Sequence, residues 1–253
     1  MNANVSANKP LKRPFKYPDK NYFINTGFYF AFKRALNWRN LKWQQVLNKI
    51  FISERIIEIP FAIKHLSSLP SGSQVLDLGC VESPTPLMEA ALGLKVTGYD
   101  FREYPYIHPN IMFKQGDICH LPFADKIFDA VVCLSTIEHL GIGFYDDPKK
   151  VEEADMVGMK EINRVLKDKG RLILSAPVGR KQMTGHQRIY DIASFQRLFQ
   201  NFLVLDQKFF INTRSSQESP NCWQEAEVTQ IQNIDDTSGA AVAVGTVAAI
   251  KGP

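Results

Sequence analysis

Apolar residues recur along this chain with two periods, and the points where one gives way to the other divide it into elements. Short apolar runs of strand length occupy 74–79, 95–99, 111–115, 128–134, 171–176, 202–210 and 240–250. Over 85–92, 151–167 and 191–200 the spacing changes to three and four, which predicts helices that bury one face. The stripe is clearest in 151–167, where Val151, Ala154, Gly158, Ile162 and Val165 or Leu166 share a side. Lys167-Asp168-Lys169-Gly170 reads as its end, with basic residues and a glycine to close it. Strands alternating with helices predict a parallel sheet covered on both faces.

The first seventy residues follow a different pattern. Residues 1 to about 20, rich in Asn, Lys and Pro, read as extended or disordered. From Leu41, the positions Trp43, Val46, Leu47, Ile50 and Ile57 keep a helical period, Pro60 predicts a break, and Phe61 to Leu66 forms a second helical piece. Pro70-Ser71-Gly72 is turn chemistry leading into the first strand. The expected organisation is therefore a basic, aromatic arm and helical cap over 1–70 and an α/β domain over 71–253.

Composition narrows the class. A chain of 253 residues with 45% apolar content suffices for one large α/β domain and an appendage. No run has the length of a membrane-spanning helix and the polar N-terminus lacks the apolar core of a secretory signal, so the expected address is the cytoplasm. Cys80, Cys119, Cys133 and Cys222 show no paired metal spacing and read as free thiols packed as small apolar residues; no metal is expected. Charge is uneven: residues 1–50 carry ten Lys or Arg against one Asp, whereas the remainder is net acidic. Phe15, Tyr17, Tyr22, Phe28, Trp38 and Trp43 are interleaved with that charge. Such a segment suits peripheral contact with an anionic membrane, nucleic acid or a phosphorylated substrate, or else a cap that packs its aromatics and leaves its cations in water.

The candidate chemistry lies at three strand ends. The run Gln74-Val75-Leu76-Asp77-Leu78 breaks at Gly79-Cys80, Lys95-Val96-Thr97-Gly98-Tyr99 ends on Asp100, and the strand 111–115 delivers Gly116-Asp117-Ile118 to the same edge. An apolar strand that stops at a glycine, followed by a lone carboxylate at the next strand tip, is how a parallel sheet holds a nucleoside.

In order and spacing these motifs resemble the class I S-adenosylmethionine-dependent methyltransferases, especially the type 11 group, over roughly Ser73 to Pro253. The resemblance implies a Rossmann-like, doubly wound, seven-stranded, mainly parallel sheet with an antiparallel final strand, and S-adenosylmethionine as cofactor. It further implies Asp77 near the methionine amino group, Asp100 on the ribose hydroxyls, and Asp117 with the Ile118 amide on the adenine edge. Gly79, Cys80, Val81, Phe101 and Ser135 complete the implied cofactor-binding set. The chain departs from the family where Val81 and Ser83 replace two further glycines. Glycine is favoured there because it permits positive φ and close approach to the ligand, so the shape of this loop and the strength of cofactor binding are in question. Glu82 adds a carboxylate that can meet the ligand's ammonium or repel its carboxylate.

After the fourth strand comes Ser135-Thr136-Ile137-Glu138-His139, and the resembled family often carries a Glu-His pair there. His139 can accept a proton from an acceptor at neutral pH or fix the loop; Glu138 is a weaker candidate base, its alternative being electrostatics at a helix start. Beyond the fifth strand, His186, Arg188 and Tyr190 are candidate substrate-binding residues with Arg180 nearby, while Asp191 reads as a helix cap. Gly141 to Asp147 reads as a lid or a cover, with Asp146-Asp147 a solvated acidic pair. The leading reading is methyl transfer to a small-molecule acceptor, a sugar or lipid-linked precursor being one candidate class. The alternative is a non-catalytic binding or scaffold protein on the same fold. A nicotinamide enzyme would need Gly-x-Gly-x-x-Gly, which is absent. A nucleic-acid substrate is disfavoured because no Asn-Pro-Pro-Tyr-like segment follows the fourth strand.

Overall fold

The computed structural model describes residues 53–143, 151–212, 223–235 and 242–252. These all belong to the compact unit Leu47–Pro253. The basic aromatic arm, Asp146-Asp147 and Cys222 lie outside the described residues.

Among the described residues, eight strands form one sheet. Strand β1 (Gln74–Leu78) is central; β2 (Lys95–Asp100) and β3 (Ile111–Gln115) add parallel to one side, and β4 (Phe128–Leu134) and β5 (Leu166–Pro177) add parallel to the other. The chain thus reverses its direction of travel between β1 and β4, the switch point at which open α/β sheets leave a crevice. The last strand, β10 (Ala243–Lys251), runs antiparallel between β5 and β8 (Phe202–Asn212). It is therefore an interior strand rather than the edge. A short eighth strand, β9 (Trp223–Glu225), forms that edge instead, one more than the seven expected. A separate hairpin pairs β6 (Gln182–Met183) with β7 (Arg188–Ile189).

Strict alternation along the central strands builds two cores. Leu76, Leu78, Val131, Cys133, Leu172 and Leu174 bury against α3 (Ala154–Val165) and α4 (Ile192–Leu198). Val75, Ala130, Val132 and Ile173 bury against α1 (Arg55–Leu66) and α2 (Thr85–Ala91). Because side chains alternate with period two, Asp77 shares the face of Val75, and Asp100 shares that of Val96. The central strands β1 and β2 thus carry Asp77 and Asp100 near their carboxyl ends, on the face that α1 and α2 cover.

Three expectations are corrected. Pro60 does not break the helix: α1 runs through it, since Phe61, Ala62 and Leu66 are buried on the sheet. That packing offsets a penalty of about 3 kcal/mol for an interior proline. Consequently α1 belongs to the α/β unit, and the boundary between residues 70 and 71 does not separate it. Third, α3 ends at Val165, and Lys167-Asp168-Lys169-Gly170 bulges within β5 instead of capping the helix; Lys169, at φ 61°, takes the left-handed conformation. The buried stripe Ala154, Gly158, Ile162 and Val165 is as read, but Val151 precedes the helix and is exposed. Asp191 caps α4, its carboxylate accepting from the Ser194 amide at 2.7 Å.

Candidate functional site

A cleft opens over the β1/β4 switch point. Its walls come from four strand ends and from α1: Gly79, Asp100, Phe101, Asp117, Ile118, Ser135 and His139 line it, together with Arg55, Glu82, Arg102, Thr136 and Gly141.

The first loop carries no strain. Gly79 alone needs the left-handed region, at φ 67°, and a Cβ there would overlap the Thr136 side chain. Cys80–Glu82 then form one 3₁₀ turn, and Ser83 is extended at φ −132°. Val81 and Ser83 therefore occupy conformations open to any residue, and the backbone here needs no further glycine. The Val81 side chain is buried, and its amide donates to Asp100 Oδ2 at 3.1 Å.

Asp100 is the most heavily engaged group of the cleft. Its Oδ1 accepts from the Arg102 amide at 3.0 Å and from Arg102 Nε at 3.3 Å, while Arg102 Nη1 reaches Glu82 Oε1 at 2.5 Å. A carboxylate offers about four lone-pair sites, so three bonds leave room for one more donor. Asp117 accepts from the Cys119 amide at 2.8 Å and meets His120 Nδ1 at 3.1 Å. The Ile118 amide opens that 3₁₀ turn, a position whose N–H has no partner within the turn. Phe101 is exposed on the cleft wall, whereas Tyr104 stacks on Phe113 with centroids 5.9 Å apart and covers the sheet.

At the cleft wall Arg55 meets a set of buried acids, Glu58, Asp77 and Glu138, that local sequence did not signal. Glu58 on α1 is fully buried; it accepts from Ser175 Oγ at 2.6 Å, from Ser135 Oγ and from Arg55 Nη1 at 3.0 Å. Arg55 Nη1 also donates to the Leu134 carbonyl at 2.9 Å. Burial acts to discharge Arg55, but Glu58, Glu54, Glu138 and Asp77 around it hold the guanidinium positive. Asp77 is buried with Oδ2 lacking a partner, and burial pushes its carboxyl up to about 8; Arg55 opposes that shift and Asp100 adds to it. Ser135 sits at φ 41°, held there by its amide bonds to Ser175 and its hydroxyl bond to Glu58.

His139 Nδ1 lies 2.6 Å from the His186 carbonyl, which can only accept, so Nδ1 carries the proton and Nε2 is the basic nitrogen. Burial lowers the His139 pKa to about 4, against the pull of that hydrogen bond. Glu138 is corrected as a base: it is buried, lines no part of this cleft, and its Oε1 lies 3.7 Å from His139 Nε2. Burial raises its carboxyl well above the usual range.

The substrate set after β5 is also redistributed. Tyr190 is buried, its hydroxyl donates to Asp155 Oδ2 at 3.0 Å, and it does not line the cleft. His186 contributes its carbonyl to His139. Arg188 donates from Nη1 to the Leu140 carbonyl at 2.5 Å and the Glu138 carbonyl at 3.3 Å, holding the loop that carries His139. Arg180 pairs with Asp235 at 2.9 Å. Asp77, Cys80 and Val81 support the cleft from below rather than lining it. Among the described residues no cluster of three His, Cys, Asp or Glu stands close enough to hold a metal ion, and no helix is long and apolar enough to cross a membrane.

A family model described as a methyltransferase domain matches residues 76–174. Two curated relatives match over short stretches: an uncharacterised protein of Methanocaldococcus jannaschii, 36% identical over 59 residues (23% of this chain, 20% of that one), and a sterol 24-C-methyltransferase of Gibberella zeae, 29% identical over 103 residues (35% and 27%). The matches thus span about a quarter or less of those relatives. Among solved structures, the 1,6-didemethyltoxoflavin-N1-methyltransferase of Burkholderia thailandensis, bound to 1,6-didemethyltoxoflavin and S-adenosylhomocysteine, superposes over 96% of this chain and 94% of its own, with a TM-score of 0.53 at 13% identity. At that identity the likeness speaks for the fold.

Proposed function

Since the chain belongs to the class I S-adenosylmethionine-dependent methyltransferases, a family whose methyl donor is S-adenosylmethionine, we propose that it transfers that methyl group to a small-molecule acceptor. The observation that carries this reading is that two acidic strand tips, Asp100 and Asp117, and Arg55 line a single cleft at the switch point, with Asp77 buried beneath it. Opposite charges are arranged for a zwitterion: Asp77 suits an ammonium, and Arg55 suits a carboxylate. Asp100 suits the ribose hydroxyls, while Phe101 and the Ile118 amide suit a base that needs one stacking face and one donor. Two hydroxyls need two acceptor sites, and Asp100 has room for one. The longest existing bond, from Arg102 Nε, is the one a second hydroxyl would displace.

The cofactor supplies an activated methyl on a sulfonium. The protein's share is alignment, exclusion of water, and removal of a proton when the acceptor carries one. His139 Nε2 is the group for that proton. It is neutral above about pH 4, and His186 fixes its tautomer. In ¹³C imidazole spectra His139 is expected to remain the neutral Nδ1–H tautomer from pH 8 down to about 5; titration with a midpoint near 6.5 would contradict its burial and its role. Because its folded pKa is depressed, the stability it contributes is present above about pH 6.5 and is lost as pH falls toward 4.

The non-catalytic reading draws on the altered glycine loop; a backbone that needs no glycine beyond Gly79 favours the catalytic one. The direct test is isothermal titration of the full-length protein with S-adenosylmethionine. Asp100→Ala should weaken binding by about 2–3 kcal/mol, roughly 30- to 150-fold, for the loss of hydrogen bonds to a charged group. An unchanged dissociation constant would remove Asp100 from the ribose subsite.

A further inference from the structure

A second cleft adjoins the first: Gly141 lines both, and Ile142, Val151, Met183, Thr184 and Arg188 build the second. The β6–β7 hairpin forms one wall, so Arg188 and Met183 are cross-strand partners on it. Met183 is 65% and Val151 44% exposed, leaving two apolar side chains facing water. Isolated exposed apolar residues need no explanation, but two that line one cleft favour an apolar occupant.

Arg188 supplies the polar end. Its Nη1 is spent on the Leu140 and Glu138 carbonyls and its Nε lies 3.9 Å from Asp155 Oδ2. Nη2 donates to no described residue, although the residue is 92% buried. Nη2 is not shut off from water, so an oxygen of a bound molecule can replace that water as its acceptor, as a charge-assisted hydrogen bond. Asp155 only partly compensates the charge: its Oδ2 already accepts from Tyr190, its Oδ1 accepts from the Met156 amide, and 3.9 Å is beyond hydrogen-bond length. The other acid at the cleft, Glu152, is exposed at the rim, where water screens it.

We infer that this second cleft holds the methyl acceptor, and that the acceptor is an apolar-bodied molecule bearing a carboxylate or phenolate oxygen that pairs with Arg188 Nη2. The inference rests on the proposed methyltransferase reading, in which the reacting end of the acceptor reaches across Gly141 toward His139. Arg188 then has two duties, holding the His139 loop through Nη1 and reading the acceptor through Nη2, which explains why an otherwise structural arginine lines a cleft at all.

The test uses the full-length protein saturated with S-adenosylhomocysteine, whose binding is established separately by calorimetry. Binding of 1-naphthoate, 1-naphthalenemethanol and 1-naphthylmethylamine is then followed by saturation-transfer NMR. The expected result is that 1-naphthoate binds at least tenfold more tightly than the amine and that Met183→Glu, a change at an exposed position, abolishes it. Arg188→Met should erase the preference for the acid; if that variant does not fold, Met183→Glu alone decides. Equal binding of acid and amine, or naphthoate binding that survives Met183→Glu unchanged, would overturn the inference. Failure to bind S-adenosylhomocysteine would instead strike the methyltransferase reading, and the naphthoate comparison would still stand or fall by itself.

Discussion

Glu58→Ala is expected to cost the protein about 3–5 kcal/mol of stability, the typical result of removing one partner from a buried ion pair. Glu58 is fully buried and joins three elements at once: α1 through Arg55, β5 through Ser175, and the loop after β4 through Ser135. Its removal leaves Arg55 without its nearest acid and releases Ser135, whose left-handed backbone at φ 41° has no glycine to ease it. For a chain of this size the loss corresponds to a fall in melting temperature of roughly 6–20 °C. Arg55 should also drift from the cleft, so affinity for S-adenosylhomocysteine falls in whatever fraction remains folded. Glu58→Gln, which still accepts from both serines, should lose clearly less stability. Urea unfolding measures both; a loss below 1 kcal/mol for Glu58→Ala would show that α1 is held by its apolar face alone.

Asp77→Asn is expected to abolish the pH dependence of cofactor affinity as well as weaken it. In the empty protein burial raises the Asp77 carboxyl to about 8, so it is mostly protonated at pH 6.5. An ammonium arriving beside it favours the carboxylate and lowers its pKa, so a proton must leave on binding. Affinity therefore rises with pH, approaching tenfold per pH unit between 6 and 7.5. Calorimetry in two buffers of different ionisation enthalpy should count close to one proton released at pH 6.5 for the wild type and none for Asp77→Asn. Equal affinities at pH 6 and 7.5 in the wild type would contradict the pairing. The same shift has a stability sign: a raised folded pKa means that the contribution is present below about pH 4, the unfolded value, and is lost as pH rises through about 8. Glu89, buried on α2 with both oxygens unpartnered and its carboxyl raised by burial and by Asp77, acts in the same direction. Cofactor binding should offset the Asp77 part of that loss.

Much of the architecture was legible because its causes are local. Alternation in Val75-Leu76 and Val131-Val132-Cys133 states that both sheet faces are covered, and Gly79, Asp100 and Asp117 fall at strand ends that any parallel sheet would bring together. What escaped notice depends on partners distant in sequence. Arg55 stands 24 residues before the first motif's Gly79 and enters the cleft only because α1 crosses the sheet unbroken at Pro60. Tyr190 read as a substrate contact until Asp155, 35 residues earlier, took its hydroxyl. The run from Lys167 to Gly170 has the residues of a helix cap, yet pairing of Leu166 with Phe128 starts the strand first. The glycine loop misled in the opposite sense: counting glycines suggested a defect, whereas a 3₁₀ turn after Gly79 needs only one.

The central claim is that one nucleoside with an amino-acid tail lies across the tips of β1, β2 and β3. The most direct measurement is a crystal structure of the full-length protein grown with millimolar S-adenosylhomocysteine. The account predicts the ligand's ammonium at Asp77, its carboxylate at Arg55, its ribose on Asp100 with Arg102 Nε displaced, and its adenine between Phe101 and Ile118. A cleft still bridged by Arg102 between Asp100 and Glu82, with no ligand density, would contradict it.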